Sequence, residues 1–258
     1  MILYKYQGTG NDFIMVDNRL KTFPVDNTVL IEKLCNRRFG IGADGLILLE
    51  NDDATNFKMV YYNSDGNQSS MCGNGGRCLV AFAKYLNIIK DKATFIAIDG
   101  LHHATIDELG LVSLQMKDVD EVKINNNHVF LNTGSPHHIQ MAENLKNIDV
   151  KSEGSKLRYS SLYGKEGSNI NFVSQVSESE FSIRTYERGV EDETLSCGTG
   201  ATAVAIAMYK IKTTTLKNLI INVEGGKLNV SFTENDGIFT NVFLTGPAEF
   251  VFETQINI

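Results

Sequence analysis

Tryptophan is absent from this sequence, whose aromatic residues are phenylalanine and tyrosine, and that absence alone singles out no function. The lack of any long apolar run excludes more. No segment approaches the roughly 18 consecutive apolar residues expected of a membrane-spanning helix. The first residues, Met1-Ile2-Leu3-Tyr4-Lys5, lead directly into a glycine-rich motif and lack the architecture of a signal peptide, so a cytoplasmic location is expected. Positive charge is in deficit, with 24 basic residues against 31 acidic ones and a net charge of −7, and the basic residues form no stripe. Neither nucleic acid nor an anionic membrane is an expected partner. Cysteine is also scarce. Residues 35, 72, 78 and 197 are too few and too unevenly spaced for a disulfide framework. Without a CxxC pair or a Cys/His cluster, no metal centre is expected either. What is present, 42% hydrophobic residues in a chain of 258, suffices for one large domain or two smaller ones without metal or disulfide support.

The opening reads as a strand over 2–7, a turn through Gly8-Thr9-Gly10-Asn11-Asp12 and a second strand over 13–17. Apolar residues at 30, 31, 34 and 35 have helical spacing within 28–37. A strand over 57–62 ends on Asn63-Ser64-Asp65-Gly66, a turn signal. After Gly73-Asn74-Gly75-Gly76 comes a helix through Tyr85, then strands near 93–98, 102–107 and 111–116. The second half repeats this order loosely. Strands are predicted near 128–132, 169–176 and 182–186, with a turn at Glu187-Arg188-Gly189. Then come Cys197-Gly198-Thr199-Gly200, a helix over 201–210, and strands over 218–223, 227–232, 238–244 and 248–256. The two Cys-Gly-x-Gly landmarks lie 197 − 72 = 125 residues apart, close to half the chain. The expected fold is therefore mixed α/β: two similar domains, each a curved mixed or antiparallel sheet around a central helix, with the active site in the cleft between them. The boundary is expected near Lys117–Lys123, where charge rises and apolar patterning stops.

A cysteine at the head of a glycine-rich helix start sits beside backbone N–H groups that have no intrahelical partner, where the helix dipole adds positive charge. Both effects favour thiolate over thiol. One such loop would suit the nucleophile of a hydrolase. Two suit inversion of a stereocentre, in which a thiolate removes a proton from one face of a carbon and a thiol supplies one to the other. The helix N-termini would bind the substrate carboxylate and stabilise the carbanion-like transition state. No signature of pyridoxal phosphate is visible, and no cofactor is expected. The bland alternatives are two small core residues in glycine-rich turns, or a duplicated binding scaffold. Cys35 and Cys78, inside apolar helical patterns, read as core residues.

The motifs Gly8-Thr9-Gly10-Asn11-Asp12-Phe13, Arg38 to Gly45, Asn63 to Gly66, Met71 to Cys78, Tyr186 to Gly189, Ser196 to Ala201 and Gly246-Pro247-Ala248 occur together and in order. In this the chain resembles the diaminopimelate epimerase family, whose enzymes interconvert LL- and meso-2,6-diaminopimelate in lysine and cell-wall (peptidoglycan-precursor) biosynthesis. The resemblance implies a last strand that returns to the first domain, so that residues 1–117 plus 247–258 carry Cys72 and residues 118–246 carry Cys197. It implies catalytic roles for Cys72 and Cys197, an active-site histidine at His137, and an acidic residue, Glu187, near substrate ammonium groups or a cysteine. Substrate contacts fall on Asn11, Asn63, Asn169, Glu187 and Arg188, with backbone contacts from Gly73, Asn74, Gly198 and Thr199. Arg188 suits a bidentate grip on the distal carboxylate; its bland reading, with Glu187, is an exposed ion pair at a hairpin. A homodimer is expected from the family. Many relatives carry Gln where this chain has Gly45, and Gly-Asn-Pro-His where it has Gly134-Ser135-Pro136-His137. Those departures leave room for a related cofactor-independent racemase with another substrate. His138 reads as a surface histidine.

Overall fold

In the computed structural model, which describes residues 1–69 and 71–257, the chain divides into two units, Met1–Leu114 with Gly246–Ile258 and Gln115–Thr245. The first begins with a hairpin of β1 (Ile2–Gly8) and β2 (Asn11–Asp17). Helix α1 (Thr28–Cys35) then crosses to β3 (Gly45–Glu50), parallel to β2, and β4 (Phe57–Asn63) runs back against it. Helix α2 (Gly73–Tyr85) leads to β5 (Lys92–Ala97), β6 (Gly100–Ile106) and β7 (Leu111–Gln115). Every residue of β3 is buried, because helices cover both faces of the sheet there. Ile31, Leu34 and Cys35 of α1 pack with Ile14, Val16, Leu46 and Leu48 on one side. On the other lies α2, buried from Gly73 through Val80 and touching β1, β2, β3 and β6.

The second unit contains β8 (Val122–Ile124), β9 (Val129–Asn132), β10 (Pro136–Met141), α3 (Val150–Arg158), β11 (Asn169–Gln175), β12 (Glu180–Glu187) and β13 (Asp192–Thr194). Helix α4 (Gly198–Lys210), β14 (Asn218–Val223), β15 (Gly226–Asn235) and β16 (Ile238–Pro247) follow, and β17 (Glu249–Gln255) pairs back with β1 of the first unit. The pairing order is β17-β1-β2-β3-β4-β5-β6-β7 in the first unit and β8-β9-β10-β11-β12-β14-β15-β16 in the second. Along either list the senses run antiparallel, antiparallel, parallel, antiparallel, parallel, antiparallel, antiparallel. The repeat is thus explicit in the backbone. Phe13 beside Gly45 corresponds to His137 beside Asn169, and Ile47 opposite Tyr61 corresponds to Asn171 opposite Thr185.

Several elements differ from the sequence expectation. The units divide after Leu114 and again after Thr245. The stretch expected to be an unpatterned connection runs into β8. Between 133 and 168, where no element was predicted, lie β10 and α3. The buried face of α3 is Val150, Gly154 and Arg158, with one aliphatic side chain among them, so it shows no apolar stripe. Its start is fixed by Asp149, whose carboxylate accepts the Ser152 N–H at 3.0 Å. Among the described residues no helix is long and apolar enough to cross a membrane.

Candidate active site

In the first unit Cys72 is the N-cap residue of α2, in extended conformation, and its side chain makes no capping hydrogen bond. Its carbonyl accepts the Gly76 N–H at 2.7 Å, while Gly73 and Asn74 form the first turn. The N–H groups there are not consumed by the cap, as an anion site at a helix start requires. Cys72 Sγ lies 3.6 Å from Asn11 Oδ1, which also accepts from Asn74 Nδ2 at 3.2 Å. Asn11 Nδ2 donates to Asp44, which orients the amide so that its oxygen faces the thiol. Beneath this, Asp12 meets Lys5 at 2.8 Å and Arg37 at 2.7 Å. Burial alone would raise the Asp12 pKa, but the hydrogen bonds from Arg37 and Lys5 outweigh it and bring it down to about 2. Asn63 closes β4 opposite Gly45. At Gly45 a Cβ would stand 2.5 Å from the Tyr61 ring and 2.5 Å from the Tyr62 carbonyl, so Tyr61 fills the space a longer side chain would need.

Three residues of this unit were not singled out by sequence reasoning or were read only as packing. Arg77 on α2 is fully buried; its Nη2 reaches Thr9 Oγ1 at 3.3 Å and its Nη1 finds no partner. Burial pulls its pKa down, and the thiols of Cys78 and Cys72 act in the opposite direction. Cys35 and Cys78 are buried, and burial pushes each thiol up to about 12.

In the second unit Cys197 caps α4 as Cys72 caps α2: extended, without a side-chain capping bond, its carbonyl accepting the Ala201 N–H at 2.9 Å. Cys197 Sγ is 3.5 Å from Thr199 Oγ1, which is 3.0 Å from His137 Nε2. His137 is fully buried and burial, helped by the charge of Arg188, lowers its pKa to about 3, so the ring is neutral at physiological pH. Asn169 uses its amide hydrogens on Ser135 Oγ at 2.9 Å and the Pro136 carbonyl at 3.1 Å. Its oxygen accepts the Arg188 backbone N–H at 2.8 Å, fixing the turn that follows β12. Arg188 is half-buried, with Nη1 bonded to the Glu166 carbonyl at 3.1 Å; Glu187 is half-buried at the end of β12. That turn is braced by Glu191, which accepts the Gly189 N–H at 3.0 Å and the Tyr186 hydroxyl at 3.0 Å.

His138 corrects an expectation. It is buried rather than on the surface, bonded through Nδ1 to the Tyr163 hydroxyl at 2.6 Å and stacked on His128. The second unit therefore brings His137, Asn169, Glu187, Arg188, Cys197, Gly198 and Thr199 into one region, and the first brings Asn11, Cys72, Gly73 and Asn74 together. Asn171, which links His137 to the sheet, was missed because a lone asparagine inside an apolar strand carries no motif. Among the described residues no cluster of three or more His, Cys, Asp or Glu could hold a metal ion.

The family model for diaminopimelate epimerase matches residues 3–123 and 129–251. A diaminopimelate epimerase of Flavobacterium psychrophilum is 75% identical over 256 residues, covering 99% of this chain and 100% of the relative. One of Aquifex aeolicus is 38% identical over 286 residues, covering 100% and 98%. Among solved structures, a PhzF-family phenazine biosynthesis protein of Bacillus anthracis superposes with TM-score 0.79 at 14% identity, covering 100% of this chain and 99% of that one. A hydroxyproline epimerase from Agrobacterium vitis superposes with TM-score 0.67 at 13% identity, covering 98% and 91%. At such identities these two share the fold, two similar domains of mixed sheet around a helix.

Proposed function

The chain belongs to the diaminopimelate epimerase family, and from that premise we propose how its residues interconvert LL- and meso-2,6-diaminopimelate. The observation that carries the proposal is that each repeat opens its glycine-rich segment with a cysteine at an uncapped helix start. The reacting α-carboxylate lies against the N–H groups of Gly73 and Asn74 and of Gly198 and Thr199, where the helix termini stabilise the charge that develops as the α-proton leaves. One cysteine, as thiolate, takes that proton; the other, as thiol, delivers its own to the opposite face. The pair ends with its charge exchanged and is ready for the reverse reaction. This chemistry requires the two sulfurs on opposite sides of the carbon and calls on no cofactor. His137, being neutral, serves it as a hydrogen-bonding group and not as an acid.

The second, unreactive amino-acid end of the substrate is held by Arg188 through its distal carboxylate, with Asn63, Asn169 and Asn11 offering both donors and acceptors. Glu187 faces the substrate ammonium groups. Tyr61 at Gly45 and the hydroxyl of Ser135 shape this pocket differently from side chains of amide type. We place the enzyme in the cytoplasm, in lysine and peptidoglycan-precursor biosynthesis, acting as a homodimer. The exposed Phe250, Val251 and Phe252 of edge strand β17 support self-association, which sedimentation would detect.

The test is incubation of LL- and meso-diaminopimelate with the pure protein in heavy water. Conversion with deuterium entering one α-position is expected. Cys72→Ser and Cys197→Ser should each cut turnover by about 10²–10⁴-fold while leaving binding partly intact. Near-normal turnover in either variant would sink the two-thiol scheme.

A further inference from the structure

The two repeats fill equivalent core positions with opposite chemistry. Where the first unit has the buried Phe13 and Ile47 and the half-buried Tyr61, the second has His137, Asn171 and Thr185, all three buried. A polar side chain inside a core is costly unless its hydrogen bonds are complete, and here they form one connected chain. Asn171 Nδ2 lies 2.9 Å from the His138 carbonyl, which can only accept, so the nitrogen must point that way. Its Oδ1 accepts the Thr185 hydroxyl at 3.0 Å, which fixes the same orientation. Asn171 Nδ2 is also 3.1 Å from His137 Nδ1. A donor there obliges Nδ1 to accept, and a neutral ring then carries its proton on Nε2. Nε2–H donates to Thr199 Oγ1 at 3.0 Å, and the Thr199 hydroxyl proton is left for Cys197 Sγ at 3.5 Å.

We propose that Asn171 is a positioning residue that locks His137 in the Nε2–H tautomer and thereby commits the Thr199 hydroxyl to donate to Cys197. A donor aimed at sulfur favours the thiolate. The contact in the first unit has the reverse polarity, since Cys72 Sγ–H donates to Asn11 Oδ1. The relay therefore biases Cys197 toward the base of the resting enzyme. It rests on the two-thiol reading and specifies which thiol is prepared, and by what. Other titratable or charged groups on the elements of this unit include Tyr209 and Lys210 on α4 itself, Lys227 and Glu234 on β15, His138 on β10, Glu187 and Arg188 at the end of β12, and Asp192 and Glu193 on β13. Arg77 acts on Cys72 in the other unit. None of these is altered by the substitutions that follow.

The direct test is the ¹⁵N spectrum of the wild-type protein, which reports which His137 nitrogen is protonated. A proton on Nε2 is expected; one on Nδ1 would overturn the inference with no variant needed. The second readout is the pH dependence of iodoacetamide alkylation, followed separately on the Cys72 and Cys197 peptides. Thr199→Val removes the donor and should raise the Cys197 midpoint by about one unit, slowing its alkylation about tenfold below that midpoint. Thr199→Ser should restore it. Asn171→Asp, whose carboxylate accepts from Nδ1–H, should turn the tautomer and act like Thr199→Val, while Cys72 keeps its midpoint. An unchanged Cys197 midpoint in Thr199→Val would refute the relay. Should Cys197→Ser retain turnover, the two-thiol reading fails whatever the tautomer. Should that variant be inactive while Nδ1 bears the proton, only the relay fails.

Discussion

Gly200→Ala should destabilise this protein, although alanine in a helix interior ordinarily gains about 1 kcal/mol over glycine. A Cβ at Gly200 would stand 2.6 Å from Asn171 Oδ1, well inside contact distance. Asn171 cannot simply swing away, because its amide is held by Thr185, the His138 carbonyl and His137 at 2.9–3.1 Å. Moving it breaks one or two hydrogen bonds of about 1 kcal/mol each and leaves a buried polar atom unmatched at about 1–3 kcal/mol. Against the helix gain, the net loss is about 1–4 kcal/mol. The twin substitution supplies the control. At Gly75 the new Cβ would meet Ile47 Cδ1 at 2.8 Å, the far end of an aliphatic side chain with no polar partner to lose. Gly75→Ala should therefore cost clearly less. Urea unfolding of both variants beside the wild type measures the difference in midpoint. If Gly200→Ala is no less stable than Gly75→Ala, the Asn171 network is not the rigid element described.

Arg188→Ala should lower kcat/KM for diaminopimelate by about 10–100-fold through loss of charge-assisted hydrogen bonds, with Arg188→Lys recovering only part because an ammonium lacks the planar fork; kinetics unchanged in both would remove Arg188 from the pocket. Acid should destabilise the protein through its buried histidines. Burial lowers the pKa of His137 from 6.5 to about 3 and that of His138 to about 4. The unfolded chain thus binds more protons, so stability is full above pH 6.5 and is lost as pH falls toward those folded values. At pH 5 each histidine costs about 2 kcal/mol relative to pH 7. His138→Gln should remove about half of the loss measured by urea unfolding between pH 7 and 5, and an identical slope in that variant would contradict the burial of His138.

The legible parts of the fold were those where chain period and punctuation agree. Glycines form the first turns of α2 and α4, both helices carry small and apolar residues, and β4 runs directly into a turn signal. The duplicated Cys-Gly-x-Gly loops gave the repeat itself. What stayed hidden was encoded in contacts. Strand β10 opens on Pro136, His137 and His138, a polar composition that says loop in isolation, yet both histidines are buried by partners more than twenty residues away. The misreading of His138 has the same origin: its burial rests on Tyr163 and His128, which no local pattern places beside it. The cysteines were legible as a pair because their position at a helix start is a local property. Asn171 was not, because its meaning depends on Thr185 and His137 arriving from other strands.

The division between legible and hidden residues has a chemical basis. At every moment of an inversion one group must be an acid and the other a base, so two identical sites would be poorly prepared for it. In the proposed two-thiol scheme a duplicated backbone supplies the shared requirement, a cysteine at an uncapped helix start in each half, and this is the part a sequence repeat preserves. The unequal part must come from side chains that differ at matched positions: Phe13 against His137, Ile47 against Asn171, Tyr61 against Thr185, Asn74 against Thr199. In the first half these are mostly apolar, and the sulfur meets an amide oxygen; in the second they are polar and end on a hydroxyl beside the sulfur. Changes of this kind leave strand order and register untouched, which is why the two sheets still pair in the same sequence of senses while the surroundings of the two thiols have diverged.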